Sequence, residues 1–231
     1  MRYCLAVPTY WTYPGGAGQE EVIYDHPTPL DAEGTLGRFL ASVAKLVNRE
    51  VQVVIVAAAT APGLQAAVEE RVTGLMGNLY QPPAYLLFSY SHLERLREFC
   101  RWQGGEEFLS LLSLTGYSRI RNLTLILANL FNAEVMVSLD DDEIILDPDF
   151  LNKIAADFSF LARDHQKFGV AGLYENPQGE VLAVAPTGNW VRFWPKIKWM
   201  NAAFTALLGE KPHLKMTPLA LGGNMAVGAS L

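Results

Sequence analysis

Val135-Met136-Val137-Ser138-Leu139-Asp140-Asp141-Asp142-Glu143 is the stretch from which the rest of the chain can be read. An apolar run that stops abruptly in four acids is expected to be a buried strand whose carboxyl end emerges into solvent, the place where open α/β sheets keep their ligands. If the chain stays extended through the acids, alternate side chains share a face, so Asp140 and Asp142 point together and Asp141 points away. Two carboxylates on one side suit a hard divalent cation, Mg2+ or Mn2+, carrying a phosphate. The same four acids equally describe a solvated turn that caps the next helix, and the surrounding sequence has to decide.

Working outward, the pattern is alternation of strands and helices. Upstream, Ile120, Leu123, Leu127, Leu130 and Phe131 recur at helical spacing after Ser118, a residue suited to capping. Downstream, Asp147-Pro148 is a helix start, followed by Leu151, Ile154, Ala155, Phe158 and Leu161 on one stripe. At the amino end, residues 3–7 form a short apolar run stopped by Pro8, and residues 9–30 hold Pro14, Gly15, Gly16, Gly18, Pro27 and Pro29 in a long loop expected to be mobile and to close over a ligand. Asp31 is placed to cap a helix carrying Leu36, Phe39, Leu40, Val43 and Val47. Residues 51–59 are a continuous apolar strand, residues 64–74 a helix and residues 84–88 a short strand, so the series is βαβ-like and predicts a mainly parallel sheet flanked by helices. Residues 89–116 resemble a helical pair, with the second member over 108–114. Strands are expected over 168–174 and 180–185, around the turn Asn176-Pro177-Gln178-Gly179, and residues 189–200 interleave aromatics with Arg192, Lys196 and Lys198 as a half-exposed strand.

Composition limits the function classes. The 231 residues are 50% hydrophobic and 18% charged, which requires a sizeable buried core. A net charge of -6 argues against nucleic acid as partner, because neutralising phosphates takes a basic surface. Cys4 and Cys100 are the only cysteines, too few for a disulfide framework or a zinc site, which fits a reducing, cytoplasmic setting. Gly15-Gly16-Ala17-Gly18 lacks the Lys and Ser/Thr order of a phosphate-binding P-loop. Histidines 26, 92, 165 and 213 are scattered without metal-ligand spacing.

Four local patterns then fall in the order used by family 2-type glycosyltransferases with the GT-A fold. Val7-Pro8-Thr9-Tyr10 resembles the end of that family's first strand. Gly116-Tyr117-Ser118-Arg119-Ile120-Arg121-Asn122 resembles its helix before the metal motif, and Leu139-Asp140-Asp141-Asp142-Glu143 resembles the metal motif. Leu221-Gly222-Gly223-Asn224-Met225-Ala226 is similar to its glycine-rich acceptor-side segment. The resemblance implies a single GT-A domain over 1–231, with a nucleotide-binding half near 1–145 and an acceptor-side half near 146–231. It also implies hexose transfer from a nucleotide-sugar, a UDP-sugar foremost, to an acceptor hydroxyl on a glycan, a lipid-linked or a small-molecule acceptor. It places Pro8, Thr9, Tyr10, Arg119, Arg121, Asn122, Asp140 and Asp141 about the nucleotide-sugar, with Asp140 near the ribose. Asp142, with Asp140, would hold Mn2+ or Mg2+. Gly222, Gly223 and Asn224 line the acceptor side, and Trp190 and Trp194 are candidates to stack there.

Two departures accompany the resemblance. Where family members carry an acid after the second strand, this chain has Val56-Ala57-Ala58-Ala59-Thr60. Inverting members supply a carboxylate base beyond the Gly-Gly-Asn segment, and no acid follows Asn224 here. The expectation is a domain lacking its C-terminal part, which binds donor but transfers poorly unless Glu175 or Glu180 serves as base. The alternatives are a sugar-phosphate nucleotidyltransferase and a non-catalytic nucleotide-sugar or metal-binding module. Peripheral contact with the inner face of a membrane is a further expectation.

Overall fold

The computed structural model describes residues 1–16, 18, 22, 24, 26–77, 83–161, 169–184, 193–208 and 223–229. Trp190 and Gly222, and the ends of the strands expected over 168–174 and 180–185, lie outside the described residues.

The chain forms an α/β structure on one mainly parallel sheet. Its strands are β1 (Tyr3–Thr12), β2 (Thr28–Pro29), β3 (Val51–Ala59), β4 (Ala84–Phe88), β5 (Val135–Leu139), β6 (Gly169–Ala171) and β7 (Asn224–Gly228). They lie in the order β4-β3-β1-β5-β7-β6, with β2 beside the end of β1. β1, β3, β4 and β5 are parallel, whereas β7 runs antiparallel to β5, from Val135↔Gly228 to Leu139↔Asn224, and β6 antiparallel to β7. The helices are α1 (Leu36–Val43), α2 (Gln65–Gly77), α3 (Tyr90–Trp102), α4 (Tyr117–Leu130), α5 (Phe150–Leu161) and α6 (Lys196–Leu208).

Strand parity assigns the helices to two layers. Leu5, Val7, Val53, Ile55 and Val137 pack with Phe39 and Leu40 of α1, Val68 and Val72 of α2, and Leu151 and Ile154 of α5. The residues between them, Cys4, Ala6, Val54, Val56 and Met136, pack with Leu93 of α3 and Ile120, Leu123 and Leu127 of α4. β1, β3 and β5 therefore have both faces covered, which is why they are apolar throughout rather than alternating. The path β1-α1-β3-α2-β4 steps away from β1 under one helical layer. The chain then returns over the other layer, through α3 and α4, to set β5 on the opposite side of β1. This reversal opens a crevice between the carboxyl ends of β1 and β5.

Several local expectations are corrected. Pro8 does not stop β1, which continues to Thr12 with Pro8 opposite Val56. Proline lacks an N–H, but pairing with β5 already ends at Ala6↔Ser138, so beyond that point one edge of β1 needs no donor. Several described residues of the long loop contact the rest of the fold. β2 pairs with Trp11 and Thr12, Val22 N–H donates to Thr60 C=O at 3.0 Å, and Tyr24 is buried. Asp31 does not cap α1 but accepts from Gly15 N–H at 2.8 Å, and Thr35 holds the N-cap position. Val47 and Leu130 are exposed, the core contact after α1 being made by Leu46.

Residues 106–111 form a 3-10 turn rather than a second long helix, and Gly116, at φ 86, precedes α4 in place of Ser118. Asp147 accepts from Asp149 N–H at 2.9 Å and pairs with Lys153 just ahead of α5. Residues 180–184 are not a strand, because Asn176 gathers that segment into a side-chain-closed turn by accepting from the N–H groups of Gln178 and Glu180. The aromatic-basic segment becomes helical from Lys196 instead of extended.

Candidate functional site

The crevice between β1 and β5 gathers residues from four separate parts of the chain. β5 ends at Leu139, and the four acids follow as a turn closed by Glu143 N–H donating to Asp140 C=O at 3.2 Å. Because the backbone turns, the alternation argument does not apply here, and each carboxylate has its own surroundings. Asp141 is directed toward β1, where the fully buried Thr9 donates its hydroxyl hydrogen to Asp141 Oδ2 at 2.7 Å. Asp142 is exposed at the tip of the turn. Asp140 is half-buried and ion-paired with Arg121 of α4, whose guanidinium also donates to the buried Ser138 hydroxyl.

The electrostatics of this turn are unbalanced toward negative charge. Burial, opposed by the Thr9 hydrogen bond and reinforced by Asp142 and Asp140, pushes Asp141 up to about 6. Burial and the charge of Asp140 push Glu143 up to about 8, although the Tyr174 hydroxyl donates to its carboxylate. Tyr174 is itself raised, by burial first and then by Glu143 and Asp140. A carboxyl group whose pKa rises on folding favours the folded state most where it holds its proton. The stabilising effect is therefore present near pH 5 and declines as pH rises toward 8. In chelator-containing buffer the melting temperature should accordingly be higher at pH 5 than at pH 8.5, and Glu143→Gln should flatten that slope. An unchanged slope in the variant would remove Glu143 as its source.

Tyr10 is an aromatic anchor beneath the site. Its ring stacks on Tyr24 at 4.4 Å, and Tyr117 packs edge-on at 5.2 Å from Tyr10 and 5.4 Å from Tyr24. The Tyr24 hydroxyl donates to Leu114 C=O at 3.3 Å and accepts from Gly116 N–H at 3.0 Å, tying the loop after β1 to the start of α4. The Tyr10 hydroxyl is buried and has no hydrogen-bond partner among the described residues. Leaving such a group unpaired costs about 1–3 kcal/mol. Tyr10→Phe should therefore hold or raise stability in urea unfolding, and a clear loss would show that the hydroxyl has a partner.

On the β7 side, Gly223 is closely approached by side chains of the site. A Cβ there would lie 2.2 Å from Asp140 Oδ2 and 2.7 Å from the Tyr174 hydroxyl oxygen. Asn224 turns toward the β6 side, donating from its amide to Leu173 C=O at 3.3 Å and accepting at its backbone C=O from Gly172 N–H at 2.9 Å. The residues after β3 line a cavity of about 120 Å3, with Ala57, Ala59, Thr60, Gln65, Ser89 and Thr115 in its wall. Among the described residues its lining contains hydroxyls, an amide and a guanidinium but no carboxylate.

Of the residues singled out from sequence, Thr9, Tyr10, Arg121, Asp140, Asp141, Asp142 and Gly223 are brought to this region, and Pro8 lies in the strand leading to it. Arg119 and Asn122 lie on the exposed side of α4. Trp194 is exposed just before α6, and among the described residues no hydrogen bond, ion pair or ring contact joins it to the acid turn. Ser138, Glu143 and Tyr174 were not among the candidate site residues. A lone hydroxyl in an otherwise apolar strand was the available signal for Ser138, whereas Tyr174 had none.

Among the described residues, no three His, Cys, Asp or Glu side chains are grouped so that they could hold a metal ion by themselves. The donor set nevertheless fits one kind of cation. Mg2+ and Mn2+ are commonly held by one or two carboxylates and completed by water and substrate phosphate, and the uncompensated charge of this turn would be relieved by such an ion.

No family model and no curated protein matches the sequence. Among solved structures, the chain is similar to the mannosyltransferase PcManGT from Pyrobaculum calidifontis in complex with GDP-Man and Mn2+. The match has 16% identity and a TM-score of 0.46, and covers 98% of this chain. The chain spans 44% of the length of that protein's chain.

Proposed function

We infer that the protein is a metal-dependent glycosyltransferase of the GT-A type, moving a hexose from a nucleoside-diphosphate sugar to an acceptor hydroxyl. The observation that carries this reading is the position of the acid turn. It stands at the carboxyl end of β5, in the crevice where the strand order reverses, the place at which open α/β sheets bind nucleotides. Thr9, Arg121, Asp140 and Gly223, one from each motif that resembles family 2-type enzymes, lie about the same crevice.

In this reading Asp142, exposed and with no side-chain hydrogen bond among the described residues, holds the divalent ion together with Asp140. When bound, the ion neutralises charge building on the departing diphosphate. Arg121 fixes the Asp140 carboxylate, which is directed to the ribose. Thr9 holds the turn against β1. The amino end of α4, preceded by Gly116, presents N–H groups and a partial positive charge on the same side of the sheet, suited to phosphate oxygens. Residues near 1–145 act as the nucleotide half, and residues near 146–231 contribute the acceptor side.

Titration calorimetry with UDP, GDP and their sugars, with Mn2+ and with chelator, tests the reading. Binding of at least one nucleoside diphosphate is expected with Mn2+ and not with chelator, UDP being the first to try. Absence of binding to all of them in the presence of Mn2+ would remove the proposal.

A further inference from the structure

We propose that α6 is a membrane-surface element that seats the protein on anionic lipid. A helix of a water-soluble domain ordinarily buries one stripe and shows water a polar one. α6 has no fully buried residue. Its half-buried positions are Ile197, Asn201, Phe204, Leu207 and Leu208, of which Ile197, Asn201, Phe204 and Leu208 share one side at helical spacing. The outer side carries Trp199, Met200, Ala203 and Ala206, which are apolar as well, with Trp199 65% and Met200 43% exposed. Trp194, immediately before the helix, is also 65% exposed. The Asn201 side chain bonds both backbone groups of Ala183, donating to its C=O at 2.8 Å and accepting from its N–H at 3.1 Å. This link brings the exposed Leu182 and Val184 to the same region of the surface.

Charge selects the occupant. The chain carries a net charge of -6, yet residues 181–209 contain no Asp or Glu and do contain Arg192, Lys196 and Lys198. Lys198 Nζ lies 5.6 Å from the centre of the Trp199 ring, so cation and aromatic are presented together. A basic, tryptophan-bearing, apolar surface complements the interface of an anionic bilayer, where indole rings sit at headgroup level and each nearby Lys or Arg adds attraction. With 13 residues α6 is too short to cross a bilayer, and among the described residues no helix is long and apolar enough to do so. A helix of this kind lies in the plane of the interface.

The proposal does not depend on the nucleotide site, and the test needs no nucleotide. The whole chain is mixed with vesicles of phosphatidylcholine, or of phosphatidylcholine with phosphatidylglycerol, and followed by flotation and tryptophan emission. Strong flotation with the mixed vesicles, weak flotation with phosphatidylcholine alone and a blue shift in emission are expected, with binding falling as salt rises. Lys196→Gln with Lys198→Gln should weaken partitioning about 25-fold, from about fivefold for each charge. Trp199→Ser with Met200→Ser should weaken it by about tenfold or more, from the apolar area withdrawn from lipid. Both pairs replace exposed side chains, so circular dichroism should be unchanged, and either pair alone suffices as a test. Failure to float with mixed vesicles, wild-type partitioning by either variant, or a dimer in light scattering that Trp199→Ser converts to monomer would overturn the proposal.

Discussion

Gly223→Ala is expected to weaken binding of a nucleoside diphosphate with Mn2+ by about 10–100-fold, the range found when a group supporting a metal ligand is disturbed. The added methyl would stand 2.2 Å from Asp140 Oδ2 and 2.7 Å from the Tyr174 hydroxyl oxygen, well inside contact distance. Something has to move. The backbone is the stiffer partner, since Asn224 immediately after Gly223 is paired with Leu139 in the β5–β7 ladder. The carboxylate therefore yields, and in yielding it leaves the geometry in which Arg121 holds it. Overpacking of this kind costs about 1–3 kcal/mol, less than a domain's usual stability, so the variant should remain folded while its site is displaced. Calorimetry checks affinity and thermal unfolding checks the fold. Wild-type affinity in a folded variant would mean that Asp140 does not act where the proposal puts it.

How far this region was legible in the sequence depends on the kind of interaction. β3 and β5 are continuous apolar runs buried on both faces, and their bounds, like those of the half-exposed edge strand β4, follow from the apolar pattern alone. Pro8 normally ends a strand, and its tolerance inside β1 depends on where β5 stops pairing, a tertiary fact. The turn after Leu139 is another such case. A run of four acids has no glycine or proline to announce a turn, so extension was the natural expectation, yet Thr9, 132 positions away in sequence, gives Asp141 a partner that favours turning. Arg121 could be found because it belongs to a motif. Its partner Ser138 and the neighbour Tyr174 could be recognised only after the sheet order was known. Residues 180–184 carry the alternation of a strand, but Asn176 accepts the first of their N–H groups, that of Glu180, into a local turn before any ladder begins. Local hydrogen bonding by asparagine competes with sheet formation in just this way.

The strongest separation of roles is expected between Asp142 and Thr9. Asp142 is exposed and no hydrogen bond from its side chain supports the turn among the described residues, so Asp142→Ala should leave unfolding free energy within about 0.5 kcal/mol of wild type. If it is the chief protein ligand of the cation, the same change should reduce metal-dependent nucleotide binding by about 100-fold or more, because the remaining carboxylate, Asp140, is already engaged by Arg121. Thr9→Val keeps the shape of a fully buried side chain but removes the donor that reaches Asp141 Oδ2. A carboxylate in so buried a place then loses its partner, at a cost of about 1–3 kcal/mol, and Asp141 should titrate still higher than its present value of about 6. Binding should fall as well, but as a consequence of a loosened turn, so a higher metal concentration should recover more of it in Thr9→Val than in Asp142→Ala. Urea unfolding and calorimetry on the two variants should therefore separate them, with stability lost only in Thr9→Val and affinity lost most in Asp142→Ala. Retained affinity in Asp142→Ala would mean that the exposed tip of the turn is a solvated charge and that the cation, if one binds, is held elsewhere.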